Sequence, residues 1–155
     1  MSPESAESHR LAEFSLAVRE SSLKRLRAVP VGRENWRPDP ESLSFADQAQ
    51  HLIDADNWLA RKLVDHSLTS FVGRAGGAQI DSRDDYKRLL AELEGSGRKR
   101  AELIAGLSET ELEQIIPDDR FGDEATVWWV IVRGNLDHEI HHRGQISAWL
   151  RPASR

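Results

Sequence analysis

Residues 123–150 have the sequence DEATVWWVIVRGNLDHEIHHRGQISAWL, in which apolar residues recur at intervals of three and four. That spacing is typical of one face of an α-helix, so the segment predicts a long C-terminal helix stopped by Pro152. His138 and His142 lie four residues apart and continue the apolar stripe that includes Ile131. Burying an unpartnered imidazole costs on the order of a few kcal/mol. The two rings therefore predict either a set of hydrogen bonds or a shared metal ion.

Similar periodicity predicts helices over about residues 7–28, 44–65 and 81–104, with a short extra helix after Ser108. No segment alternates with the two-residue period of a strand, and β-branched clusters are scarce. Amphipathic helices bury their apolar faces by packing on one another. The sequence therefore predicts an all-α fold, a four-helix bundle with long connections, in which residues 1–155 form a single domain.

Some local features refine this prediction. Glycines at 73, 76 and 77 mark a flexible loop after the second helix, and the Gly95-Ser96-Gly97 segment weakens the third. Each interior glycine costs a helix about 1 kcal/mol relative to alanine, so a bend is expected there. The apolar face of the first helix predicts four core contacts: Leu11, Phe14, Val18 and Leu26.

The composition excludes several classes of function. With 39% hydrophobic and 30% charged residues among 155, the chain resembles an ordinary globular protein. Its net charge of −5 argues against a general affinity for nucleic acid or anionic membranes. The absence of cysteine excludes disulfides and thiolate metal ligands. No signal peptide or membrane-spanning run is visible. We therefore expect a cytoplasmic protein with no nucleic-acid or membrane partner.

A third metal ligand should come from a helix that faces the C-terminal one, and His51 on the second helix is the best candidate. Three neutral histidines with an open position are typical of a catalytic metal site. Asp47 and Asp54 lie one turn either side of His51 and could accept its second N–H group. The alternative is that His51, His138 and His142 are ordinary hydrogen-bonded histidines in the core of the bundle.

The same segment also contains H-E-x-x-H, the zinc-protease motif, in which Glu139 would be the general base. Common versions of that motif take a third ligand from further along the chain. None of the thirteen residues after His142 is His, Asp or Glu, and no strand is predicted to line a peptide substrate. A peptidase is therefore disfavoured. A metal-dependent hydrolase in which Glu139 activates water remains an alternative.

Three segments together resemble the DinB/YfiT-like family of metal-dependent four-helix proteins, over nearly the whole chain. Residues 138–146, HEIHHRGQI, followed by WLR at 149–151, are similar to the closing H-x-x-x-H-R-G-Q motif of that family. Residues 44–52, SFADQAQHL, match the segment in which the family places its first ligand. A weaker match is the WRP sequence at 36–38 in the first loop.

The resemblance implies that His51, His138 and His142 bind a divalent ion such as zinc or nickel. It implies an S-transferase that uses a low-molecular-weight thiol, of the bacillithiol or mycothiol type, on an electrophilic small molecule. Homodimers are common in the family. A second hypothesis, of another class, is a noncatalytic metal-binding or stress-related module on the same bundle.

Residues beside the last ligand are candidates for binding substrate. Arg143 could bind a cosubstrate carboxylate, although its alternative is a solvated or capping arginine near a helix C-terminus. Gln145 shares the ligand face and could bond a metal-bound water or a buried carbonyl. Trp128 and Trp129 cannot both face one core, so one of them is a candidate for a dimer interface.

Overall fold

The structure is a computed structural model that describes residues 5–66 and 77–155. The all-α prediction is confirmed, because long helices on four stretches of the chain pack into a bundle. The predicted glycine loop lies outside the described residues except for Gly77. The elements are α1 (Ala6–Arg27), α2 (Phe45–Asp65), α3 (Arg83–Ala105), α4 (Glu109–Glu113), β1 (Ile115–Pro117), β2 (Glu124–Thr126), α5 (Val127–Trp129), a π-helical segment (Val130–Leu136) and α6 (Asp137–Ala153).

Helix α2 begins with a reciprocal cap. The Ser44 Oγ accepts a hydrogen bond from the Asp47 backbone N–H, and the Asp47 carboxylate accepts one from the Ser44 N–H, each at 3.0 Å. Such caps satisfy amides that the first helical turn leaves open. Asp47 also accepts hydrogen bonds from Arg37 and from the backbone of Ala78, both at 3.1 Å. One carboxylate thus ties the first loop and the segment before α3 to the start of α2.

The C-terminal helix begins at Val127 and not near residue 123, because the preceding residues form a strand. Residues 124–126 pair antiparallel with residues 115–117. The prediction that the chain has no strands is wrong here, since strands of three residues are too short to show an alternating pattern. At the other end, Pro152 lies inside the last helical turn, and α6 continues to Ala153.

Helix α5, the π-helical segment and α6 follow one another without a break in helical backbone. The wider turns of a π-helix are rare and often occur beside functional sites. Here they immediately precede the turn that carries His138. A Cβ atom added to Gly134 in this segment would lie 3.0 Å from the Trp58 ring. Glycine therefore permits the close approach of the α2 tryptophan, and a larger residue would require the ring to shift by a few tenths of an ångström.

Two apolar clusters fill the bundle. One includes Leu26, Phe45, Leu52, Tyr86, Leu93 and Ile146, and the other includes Leu11, Trp58, Ile104, Leu112, Ile116 and Ile131.

Phe14, predicted to lie in the core, is 49% exposed, whereas the other three predicted contacts of α1 are buried. Helix α3 continues through the predicted weak point at residues 95–97. Within the described residues, no helix is both long and apolar enough to cross a membrane.

Candidate metal centre

Three imidazole rings from two helices meet in the bundle. His51 comes from α2, and His138 and His142 come from successive turns of α6. The Nε2 atom of His138 lies 2.9 Å from that of His51 and 3.0 Å from that of His142. The ring centroids are 4.5–4.8 Å apart. The structure thus brings the three candidate ligands together, with one nitrogen of each ring directed at a common point.

Hydrogen bonding within the triad cannot account for this convergence. A ring nitrogen carries either one proton or one lone pair, directed outward in the ring plane. The Nε2 atom of His138 can therefore form one linear hydrogen bond, but it has two nitrogen neighbours. Zinc–nitrogen bonds of about 2.0–2.1 Å would set tetrahedral ligand nitrogens roughly 3.3 Å apart, close to the observed spacings. The three ligand nitrogens would therefore fit a divalent ion if they moved slightly further apart.

The triad is held in the neutral form that binds metals. Burial, followed by the charges of the neighbouring rings, lowers the pKa of His142 to about 3. Burial, with further contributions that include His51 and Arg120, lowers the pKa of His138 to about 4. Burial also lowers the pKa of His51, against an opposing effect of the Asp54 charge. At neutral pH all three rings keep a lone pair for a metal ion.

Two glutamine side chains lie beside the triad, one on each ligand-bearing helix. Gln48 precedes His51 by one turn and Gln145 follows His142 by one turn. The Gln48 Nε2 donates to the Gln145 Oε1 at 3.1 Å, and Gln48 is fully buried. The Gln48 Oε1 has no hydrogen-bond partner among the described residues. The candidate substrate residue Gln145 is thus anchored to α2, and polar amide atoms adjoin the three rings.

Glu139, the next residue after a candidate ligand, lies in a different environment. Arg19 donates to both of its carboxylate oxygens at 2.7 and 3.0 Å, while Arg100 and Ser22 donate at 2.6 and 2.7 Å. Burial alone would raise the pKa of Glu139, but the Arg100 and Arg19 charges lower it to about 2. A carboxylate of such low basicity is a poor general base at neutral pH. The geometry therefore disfavours the hydrolase alternative.

These contacts belong to a buried charge cluster, which we define as Arg19, Asp56, Arg100 and Glu139. Asp56 binds Arg19 at 2.8 Å and Arg100 at 3.1 Å, and none of the four side chains is more than 4% exposed. Asn135 and Ser15 accept further hydrogen bonds from Arg100. The two positive and two negative charges balance, so the cluster is electrically neutral. It joins α1, α2, α3 and α6 at the level between the two apolar clusters.

The charge cluster was not predicted from the sequence. Of its four residues, only Glu139 was a predicted site residue, and in another role, as a general base. One signal was available. Ser8, Ser15 and Ser22 recur every seventh residue on the buried face of α1, and all three are fully buried. A stripe of small hydroxyl residues on a core-facing helix predicts buried polar partners, since buried hydroxyls are nearly always hydrogen-bonded. Ser15 and Ser22 contact Arg100 and Glu139.

The other residues predicted near the triad have the following contacts. The Asp47 carboxylate is engaged by the α2 cap, by Arg37 and by the backbone of Ala78. The Asp54 carboxylate accepts a hydrogen bond from Gln50 at 3.0 Å. Arg143 is partly buried and forms no ion pair with any residue in 5–66 or 77–155. The exposed His141 contacts His142 edge to face but is not part of the triad.

Fold and site together define a class, a helical bundle whose core contains a group of three histidines able to hold a metal ion. The chain belongs to the DinB superfamily, whose family model matches residues 16–146. A DinB-like protein from Bacillus subtilis, with a crystal structure at 2.30 Å resolution, superimposes with a TM-score of 0.71. That comparison covers 94% of this chain and 92% of the other at 18% identity, so it shows similarity of fold alone. No curated protein matches this chain.

Proposed function

We propose that this protein binds one divalent metal ion, zinc or nickel, through His51, His138 and His142, and acts as a metal-dependent S-transferase. The observation that carries the proposal is the close approach of three ring nitrogens. The Nε2 atom of His138 lies 2.9 Å from that of His51 and 3.0 Å from that of His142, which is one neighbour more than a single linear hydrogen bond can use. The rings are neutral and come from two helices, so the site needs no large rearrangement to accept an ion.

Three protein ligands leave a coordination position for a substrate. A divalent ion held by the three histidines would lower the pKa of a thiol at that position and favour the nucleophilic thiolate. In S-transfer the thiol sulfur forms a bond to the electrophilic atom of the second substrate. The leaving group departs with the bonding electron pair, and the thiol proton goes to solvent. The likeness to DinB/YfiT-like S-transferases supports a small thiol, of the bacillithiol or mycothiol type, as the cosubstrate.

The chain's own residues would position the reactants. Gln145, held by Gln48, offers its remaining amide atoms to a ligand beside His142. Arg143 stays a predicted carboxylate-binding residue. The charge cluster fixes the turn of α6 that carries His138, because Glu139 is bonded to α1 and α3. Rigid placement of ligand side chains is what an open metal site requires.

The first test is the metal content of untagged protein, with His138→Ala and His141→Ala as a matched pair. We expect about one divalent ion per chain in the wild type and at least a hundredfold loss of affinity in His138→Ala. His141→Ala removes an exposed imidazole three residues further along α6 and should retain the ion. Equal metal content in both variants would contradict the proposed ligand set.

The second test separates catalysis from metal storage. Metal-loaded protein is incubated with a model electrophile and each of several thiols, and the thioether product is quantified. Turnover that needs both thiol and metal, and that disappears in His138→Ala, supports an S-transferase. One bound ion per chain, without turnover of any thiol and electrophile pair, would favour the noncatalytic metal-binding alternative. The homodimer and the cytoplasmic location stay predictions, to be checked by light scattering and by cell fractionation.

A further inference from the structure

A short loop between the two strands reaches the π-helical segment that precedes α6, and its backbone is firmly held. The Asp118 carboxylate accepts hydrogen bonds from the backbone N–H groups of Arg120 and Phe121 at 2.7 and 3.3 Å. Asp118 is fully buried and forms an ion pair of 3.6 Å with Lys62 of α2. Such a turn fixes the direction in which the Arg120 side chain leaves the loop.

The Arg120 guanidinium contacts residues on both of the helical stretches that carry the candidate ligands. Its Nη1 donates to the backbone oxygen of Gly134 at 3.2 Å, and its central carbon lies 5.4 Å from the centroid of the Trp58 ring. Gly134 precedes His138 by one helical turn, about 6 Å along the axis, and Trp58 follows His51 by two turns. Both contacts therefore place the cation one to two helical turns from the candidate ligands, against the two helical stretches that carry them.

The electrostatics agree with this position. The Arg120 charge is one of the contributions that lower the pKa of His138. Unlike Arg19 and Arg100, Arg120 is exposed and forms no ion pair with any residue of the described ranges. One of its five N–H donors is used by the Gly134 carbonyl, and the aromatic ring supports the flat face of the guanidinium. The remaining N–H groups can donate hydrogen bonds to a planar anion.

We propose that Arg120 binds a carboxylate of the ligand that approaches the triad, whether the thiol or the electrophile carries it. The inference rests on the proposed metal site, because it places the carboxylate within one to two helical turns of the candidate ligands. A guanidinium binds a carboxylate through two parallel hydrogen bonds, so Arg120 would both orient the reactant and select acidic ones. The substrate class is therefore a small molecule that carries a carboxylate near its reacting atom.

The test uses cobalt-substituted protein and pairs of reactants that differ only in charge. Binding of 3-mercaptopropionate and of 3-mercaptopropan-1-ol is followed by the visible spectrum of cobalt, and S-alkylation is compared for iodoacetate and iodoacetamide. We expect the wild type to prefer the acidic member of at least one pair by roughly tenfold. The thiol pair and the electrophile pair show which reactant supplies the carboxylate.

Three variants make the assignment specific. Arg120→Gln should abolish the preference, and Arg120→Lys should keep part of it because the charge remains. Arg133→Gln, which removes a surface arginine paired with Asp137 on the same helix, should leave the preference unchanged. A preference that persists in Arg120→Gln, or is absent from the wild type in both pairs, overturns the inference. A chain that takes up no cobalt contradicts the proposed function as well, so the two failures are distinguishable.

Discussion

His138 and Glu139 are neighbours on α6, yet they belong to polar groups of opposite character. Glu139 is part of the charge cluster, in which the two carboxylates and two guanidiniums are bonded to one another and to nearby polar groups. His138 faces two other imidazoles whose nitrogens compete for the same point. Successive residues on a helix differ in direction by about 100°, and this rotation separates the two groups.

The difference indicates which buried polar group serves the fold and which serves a ligand. A polar network that is complete within the chain needs nothing further, and removing one member leaves an uncompensated charge. Convergent ring nitrogens that cannot all be satisfied by hydrogen bonds to one another indicate a site for an external partner. By this criterion the charge cluster is structural, and the triad is the candidate ligand site.

The largest expected effect comes from breaking the charge cluster. Glu139→Ala would leave Arg19 and Arg100 facing the single carboxylate of Asp56, with an uncompensated positive charge in the core. We expect the free energy of unfolding to fall by about 3–5 kcal/mol, measured by urea denaturation of chelator-treated protein. The variant would therefore lose metal binding only as a consequence of lost stability.

The control for this prediction is the adjacent residue. His138→Ala in the same metal-free protein should cost on the order of 1 kcal/mol, because it truncates a partly buried ring and leaves no orphan charge. It should nevertheless abolish metal binding in a protein that remains folded. If the two variants lost equal stability, the distinction between a structural group and a ligand-binding group would fail.

Acid should disturb the two groups in different pH ranges. His138 and His142 have pKa values of about 4 and 3 in the folded chain, below the 6.5 of an ordinary histidine. The unfolded chain therefore takes up protons first, and stability falls as the pH drops from 6.5 toward 4. The slope is roughly 1.4 kcal/mol per pH unit for each ring that titrates.

The Glu139 carboxylate changes the stability of the fold over a lower pH range. Its pKa of about 2 lies below the usual 4.5, so its contribution to stability is complete above pH 4.5 and is lost as the pH falls toward 2. Urea denaturation of metal-free protein across pH 3–8 would separate the ranges. We expect His138→Ala to flatten the slope between pH 6.5 and 4.5. An unchanged slope in that variant would mean that the rings do not titrate as described.

Much of the fold could be predicted from sequence because helical periodicity and helix caps are local signals. The Ser44 cap and the end of α2 near Asp65 were predictable from a few neighbouring residues. Strands of three residues and the π-helical segment were not, since neither has a periodic pattern of its own. Phe14 was misplaced because an apolar residue at the edge of a helical stripe does not reveal which neighbours cover it.

The candidate site, too, was predictable from sequence only where the signal is local. His51 was predictable as a third ligand because it lies at the edge of an apolar face, and the closing HRGQ motif adds a family signal. Asp47 had the right spacing to His51, but the cap of α2 uses its carboxylate. Arg120 gave no sequence signal, since its place beside the triad depends on a hairpin and on contacts with Trp58 and Gly134.

Smaller effects should distinguish the packing around the two polar groups. A Cβ atom at Gly97 would lie 2.7 Å from the Arg19 Cγ, within the charge cluster. Overpacking of this kind costs about 1–3 kcal/mol, and alanine recovers about 1 kcal/mol of helix propensity. We therefore expect Gly97→Ala to lower the free energy of unfolding by about 1 kcal/mol, the middle of the net range. A neutral or stabilising result would show that Arg19 can shift without loss of its carboxylate partners.

The smallest effect is predicted beside the triad, and its sign is opposite. A Cβ atom at Gly144, two residues after His142, would meet nothing within 4 Å. Gly144→Ala should therefore stabilise α6 by up to about 1 kcal/mol and leave the metal affinity unchanged, measured by urea denaturation and by competition with a chelator. Lower metal affinity in this variant would mean that a ligand or a second copy of the chain occupies the space beside Gly144. The open surface at this position would then belong to the site, whereas the space around Gly97 is already filled by Arg19.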